Sequence, residues 1–215
     1  MEAESCLSPR WQRRKDARPD EIMRAAMQLF VERGFTATRL DDIAQQAGVS
    51  KGTLYLYFKS KEDIFKTAVT ESVVPEIERA EAATKDYQGS MRDLLTELLQ
   101  SWARFARETP VSGVAKLMVA EAANFPDMAK FYFEQVVLRV RAIFASVVEK
   151  GITSGEFRPL PVDLVVRDLT WSLIFASVWK HSLQAFEQDQ LDYDAFFELH
   201  LDISLKGLLA DNLSS

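Results

Sequence analysis

The chain has 215 residues, 47% of them apolar, one cysteine and a formal net charge of −6. That length supports one large helical body or two smaller domains, and the lone Cys6 excludes an internal disulfide and suits a reducing compartment. No uninterrupted apolar run reaches the roughly 18 residues of a membrane span, and MEAESCLSPRWQRRK lacks a signal-peptide core, so a cytoplasmic protein is expected. The acidic balance argues against nucleic acid only until its distribution is read. Residues 10–66 carry 12 basic and 8 acidic side chains, net +4, whereas residues 67–215 carry 14 and 22, net −8. A basic head on an acidic body is the pattern of a DNA-binding module attached to a part with other work.

Residues 1–18 read as a flexible basic arm, with Arg10, Trp11, Arg13, Arg14 and Lys15 clustered where they can track phosphate. A first helix spans about 19–33. Pro19, Asp20 and Glu21 suit its first turn, Ile22, Ala25, Ala26, Leu29 and Phe30 form its buried stripe, and Gly34 ends it. A second helix is expected to open at Thr38, with Thr38 and Asp41 as a reciprocal capping box and Ile43, Ala44 and Ala47 on one face. Gly48 supplies the tight turn, and Ser50 caps a third helix over 51–57. That helix buries little beyond Leu54 and Phe58. It presents Lys51, Gly52, Thr53, Tyr55, Leu56 and Tyr57, a surface of short, hydroxylic, phenolic and cationic groups that suits a DNA groove better than a core. Ser60 and Asp63 form a second capping box, with Ile64, Phe65, Ala68 and Val69 inward on the helix that follows. Lys61 sits in that helix's first turn, where a cation opposes the dipole unless a phosphate lies there.

Everything beyond residue 70 reads as helical. The fourth helix continues to about 84 with a bend near Pro75, and 86–89 is a break. A helix over 90–108 turns Leu94, Leu95, Leu98, Leu99, Trp102 and Phe105 inward. Thr109-Pro110 opens the next, with Met118 and Ala122 on its apolar side. After a break at Asn124-Phe125-Pro126, a long helix runs over 126–154 to Gly155. Pro161 opens a helix that is apolar on nearly every face over 164–183, and the last helix spans 193–209. The fold class is all-α, about nine helices, organised as a helix-turn-helix domain over 19–66 and a larger helical domain over 67–215.

The stretch AGVSKGTLYLYF-x-SKE, within a match from about Arg18 to about Lys66, resembles the DNA-binding domain of the TetR/AcrR family of bacterial transcriptional regulators. LMVAEAANFPDMAKFYFE and GEFRPLPVDLV are similar, less specifically, to the C-terminal domains of an AefR-like subgroup. The resemblance implies a DNA-contacting set of Thr38, Arg39, Ser50, Lys51, Gly52, Thr53, Tyr55, Tyr57 and Lys61, with Tyr57 and Lys61 on phosphate. Leu56 departs from the polar or aromatic residue often found at its position and leaves an apolar contact with a thymine methyl. It also implies a homodimer through the last two helices, double-stranded palindromic operator DNA as partner and a small-molecule effector.

An apolar effector pocket is expected among Trp102, Phe105, Met118, Phe125, Phe133, Trp171, Phe175 and Trp179, with Glu121 as its principal polar group and Asn124, Arg139 and His181 in support. An inward Glu121 favours a ligand with a donor or a positive charge. Two histidines 19 residues apart, scattered carboxylates, and no Gly-rich phosphate loop or nucleophile elbow argue against an enzyme, a metal site or a cofactor. The expected function is a repressor released from its operator by the effector. The alternative is an effector-independent DNA binder whose acidic body docks a protein.

Overall fold

The computed structural model describes residues 18–210, so positions 1–17 of the expected basic arm, Cys6 among them, lie outside the described residues, while Arg18, expected to be the last residue of the arm, opens the first helix. The helices are α1 (Arg18–Arg33), α2 (Leu40–Gln46), α3 (Lys51–Tyr57), α4 (Lys61–Ser72), α5 (Val74–Lys85), α6 (Met91–Glu108), α7 (Val114–Glu121), α8 (Pro126–Tyr132), α9 (Leu138–Ser154), α10 (Val162–Lys180) and α11 (Tyr193–Leu208). With α4 and α5 counted together across Val73, and α8 and α9 across a π turn at Phe133–Val137, they amount to nine helices. There is no strand among the described residues beyond a single bridge, Phe157 to Leu209. Two compact units meet between Ala68 and Val69.

In the first unit, the apolar stripe of α1 packs with Phe35, Ile43, Ala44, Leu54, Phe58, Ile64 and Phe65, all buried. Each large side chain so buried contributes about 1.5–3 kcal/mol. The Phe30 and Phe35 rings lie 4.8 Å apart and lock the chain reversal after α1. The expected capping box at Thr38 does not form. The helix begins two residues later, at Leu40, with Arg39 as its N-cap residue, and Asp42 rather than Asp41 accepts the Arg39 N–H at 3.2 Å. Thr38 faces the core instead. Its hydroxyl donates to the Gly34 carbonyl at 2.8 Å, with Leu29 O at 3.3 Å, supplying a donor where α1 has run out of its own.

The second unit has its core between α6, α9, α10 and α11, built on Leu94, Leu95, Leu99, Phe144, Val147, Val148, Leu169 and Leu173. The turn after α9 organises it. Gly155 takes φ 80, and Glu156 then projects its carboxylate onto the start of α6. There it accepts from Ser90 Oγ (2.8 Å), Met91 N (3.1 Å) and Arg92 N (3.3 Å). Phe157 lies so close to Gly151 that any Cβ at 151 would overlap its ring. The same turn holds the end of α11 through Arg158 N to Leu208 O and Ala210 N to Glu156 O. Of the inward positions expected on α7, Met118 is buried but Ala122 is exposed. The expected bend near Pro75 is a break at Val73, and the expected continuous helix over 126–154 is interrupted by the π turn.

Candidate functional site

The turn between α2 and α3 is closed by Gly48 at φ 67, a left-handed conformation that a side chain would strain. Val49 N reaches back to Ala44 O at 3.0 Å and completes the helix end. Ser50 then caps α3, its Oγ accepting the Thr53 N–H at 3.1 Å while lying 2.8 Å from Thr53 Oγ1. Leu54 and Phe58 are packed beneath, and the opposite face of α3 is exposed. Tyr55, Tyr57, Lys51 and Gly52 are exposed, and Leu56 is 82% exposed.

Gly52 has no reason inside the protein. Its φ is ordinary and a Cβ would meet nothing nearer than Ser50 Oγ at 3.8 Å. Glycine nevertheless costs a helix roughly 0.5–1 kcal/mol against alanine.

Lys51 pairs with Asp41 at 2.7 Å across the α2–α3 turn, and this partner raises the lysine pKa. Both side chains are more than half exposed, so the pair contributes little to stability. Lys61 differs from its expected role. Its ammonium donates to Phe35 O (2.6 Å) and Thr38 O (2.8 Å) and lies 4.7 Å from the centre of the Phe35 ring. The carbonyls of the α1–α2 connection, rather than a phosphate, explain a cation in the first turn of α4. The Thr38 hydroxyl is likewise committed inside, and Arg39 is exposed at the N-cap of α2.

The second unit holds a cavity of about 190 Å³ that is partly open to solvent. Its walls are Ile77 and Ala80 of α5, Leu98, Trp102 and Phe105 of α6, Val114 and Ala115 of α7, Tyr132 of α8, Val137 of the π turn, Val140 and Arg141 of α9, and Thr170 and Ile174 of α10. Of the aromatic set read from sequence, only Trp102 and Phe105 line it. Met118 is buried elsewhere, Phe125 and Trp179 are half-buried away from it, and Phe133, Trp171 and Phe175 lie on the surface. Glu121 is buried but outside the cavity, where its carboxylate accepts from Asn124 Nδ2 at 3.1 Å. The basis for a ligand with a positive charge is therefore gone.

Arg139 is held by Glu81 through two hydrogen bonds of 2.8 and 2.7 Å, joining α9 to α5. His181 lies behind the wall, 2.9 Å from Ser112 Oγ. Burial, then the charges of Lys180 and Lys116, push its pKa down, so it is a neutral partner. Sequence reasoning missed Tyr132, Arg141 and the valines of the π turn and α9. Their signal was the spacing 136, 137, 140, 141, 144, which is obscured by the π turn.

The outer side of α10 is not buried by its own unit. Leu164 is 62%, Trp171 54% and Phe175 62% exposed, one stripe at helical spacing. Leu199 and Ile203 form a second exposed stripe on α11, continued by Gly207.

Residues 22–68 match a family model described as bacterial regulatory proteins, tetR family, and residues 86–192 one described as tetracyclin repressor-like, C-terminal domain. The chain is 31% identical over 160 residues to the HTH-type transcriptional repressor KstR2 of Mycolicibacterium smegmatis, covering 72% of this chain and 77% of that protein. It is similar to the solved structure of the ketosteroid transcriptional regulator KstR2 of Mycobacterium tuberculosis, with TM-score 0.73 and 25% identity over 90% of this chain and 96% of that one. It shares the fold of the transcriptional regulator FadR from Bacillus subtilis, solved in complex with stearoyl-CoA, at TM-score 0.67 and 24% identity over 87% and 98%.

Proposed function

The chain belongs to the tetR family of bacterial regulatory proteins, and from that membership we propose that it is a repressor that leaves its operator when a small molecule fills the cavity of its second unit. It is a helix-turn-helix transcriptional regulator. Residues 19–66 serve as the DNA-binding head and 67–215 as the effector-binding and dimerisation body. The observation that carries the reading is the exposed face of α3, with a glycine the fold does not need.

On DNA, the N-terminal end of α3 meets phosphate with Ser50 and Lys51, while Gly52 lets the helix backbone approach closely. Thr53 and Tyr55 reach base edges, Leu56 meets thymine methyls, and Arg39 and Tyr57 fix the register on phosphate. Thr38 and Lys61 support this surface from within. Two heads read a palindrome because two chains pair through α10 and α11. The stripes Leu164, Trp171, Phe175 and Leu199, Ile203 are too large and too contiguous for a surface left in water.

Release is a linkage effect. The effector fills the cavity only in the dimer geometry that no longer fits two successive major grooves, and its differential affinity for the two geometries is the whole of the driving force.

The test is Gly52→Ala. The variant should be more stable than wild type, by up to about 1 kcal/mol. It should also capture specific duplexes from fragmented genomic DNA at least tenfold less well. Capture equal to wild type would remove α3 as the reading surface.

A further inference from the structure

Three polar side chains that line the cavity, those of Trp102, Tyr132 and Arg141, have no hydrogen-bond or ion-pair partner among the described residues. Its other polar side chains are already engaged. Thr170 Oγ1 donates to Val166 O at 2.7 Å, Ser177 Oγ to Ser112 O at 2.7 Å, and Ser112 Oγ meets His181 at 2.9 Å. Ser101 Oγ accepts from Arg104 at 2.8 Å, and Glu76 is paired with Arg79 one turn along α5. Tyr132 and Arg141 are different. Among the described residues the Tyr132 phenol has no hydrogen-bond partner, and the Arg141 guanidinium has no ion pair, only the Phe133 ring 6.0 Å away. Asp163, whose charge Arg141 does influence, is already held by Arg167 at 2.8 Å.

The π turn is what brings these two groups to one wall. The cavity face of α9 centres on Val140, flanked by Val136, Val137, Arg141, Ile143 and Phe144. In an uninterrupted helix Tyr132 would stand about 80° around the axis from Val140. One residue inserted at Phe133–Val137 turns α8 by about 100° and puts Tyr132 within about 20° of that centre. Burial pushes the phenol up to about 12, so it remains a neutral donor at any physiological pH. The phenol donor on the apolar wall and the lining Arg141 side chain, whose guanidinium lies toward the exposed Phe133 ring, fit an oxyanion at the open side of the cavity and offer nothing to an amine, which would have to displace the existing Glu76–Arg79 pair.

Size sets the other limit. A cavity of about 190 Å³ is slightly larger than the ~150 Å³ that holds benzene, which leaves room for one ring or a chain of roughly six to eight carbons.

We propose that the effector cavity is a receptor for small apolar carboxylates, with the carboxylate oxygens received by the Tyr132 phenol and the Arg141 guanidinium. This deepens the proposed function and rests on its reading of the cavity as the effector site.

The experiment is titration calorimetry of the full chain with octanoate, octan-1-ol and octylamine, repeated with Tyr132→Phe and Arg141→Gln. Octanoate should bind wild type in preference to the other two. Tyr132→Phe should weaken it about tenfold and Arg141→Gln more, while the weaker affinity for octanol, which reports an intact cavity, stays the same in Arg141→Gln. Octanol or octylamine binding as tightly as octanoate, or octanoate binding unaltered by both substitutions, would overturn the carboxylate inference and leave the effector cavity standing. Binding of none of the three to wild type would overturn the effector reading of the cavity, and this inference with it.

Discussion

Lys61 shows how much one side chain decides in the head. Its ammonium ties the carbonyls of Phe35 and Thr38 to the first turn of α4, and the Phe35 ring covers it. Lys61→Met should therefore cost about 2 kcal/mol of stability, since charged hydrogen bonds to partly buried carbonyls are lost. It should leave the salt dependence of DNA binding unchanged, because no phosphate contact is removed. A thermal melt and a salt titration of operator affinity check both parts, and a salt slope reduced by about one would return Lys61 to the phosphate. From sequence this residue read as a phosphate anchor because its position conflicts with the helix dipole. The conflict was real, but the carbonyls that resolve it are more than twenty residues upstream and no local pattern reveals them. Thr38 was misread for the same reason. A threonine followed by acidic residues suits a cap, and only the packed head shows its hydroxyl turned toward Gly34. Ser50, whose partner Thr53 is three residues away, was legible outright.

Among the elements, the start of α6 depends on a carboxylate from a distant turn. Burial alone would raise the pKa of Glu156, but donation from Met91 N, Ser90 Oγ, Arg92 N and Ser154 Oγ outweighs it and holds the group below its usual value of 4.5. As pH falls, the unfolded chain takes up this proton first. The stabilisation is thus complete above about 4.5 and is lost as pH drops through the folded-state value. Glu156→Gln should lower stability by about 1–2 kcal/mol near neutrality. Denaturant melts at descending pH should show the gap to wild type closing below about pH 4.5. A gap that is constant down to pH 3 would assign the effect to packing rather than to the charged cap. The limits of α3 were readable because Ser50 opens it and its apolar positions are few. The π turn was not readable, since Phe133–Val137 contains no glycine or proline and the inserted residue alters only the phase of the face that follows. That phase error is why Phe133 was read as inward, whereas Trp171 and Phe175 were read so because α10 is apolar on nearly every face, and both lie on its exposed side.

At the scale of the molecule, the exposed apolar stripe of α10 is the surface that the proposed dimer would cover. Phe175→Glu sets a charge in the middle of the exposed stripe, in contact with Trp179 at 6.0 Å between rings. Sedimentation should find monomers and a correspondingly large loss of operator affinity, because each head then binds its half-site alone. An unaltered dimer would place the pairing surface elsewhere.

The link between cavity and DNA can be tested without knowing the effector, by filling the cavity covalently. Ala115 lines it from α7, and Ala115→Phe places a ring where the effector would sit. The decisive measurement is the affinity of this variant for an inverted-repeat duplex selected by the wild-type chain from a random pool. Sedimentation and circular dichroism should confirm that dimer and helices persist. An effector-released repressor predicts affinity at least tenfold below wild type in a folded dimer, and affinity equal to wild type would contradict it.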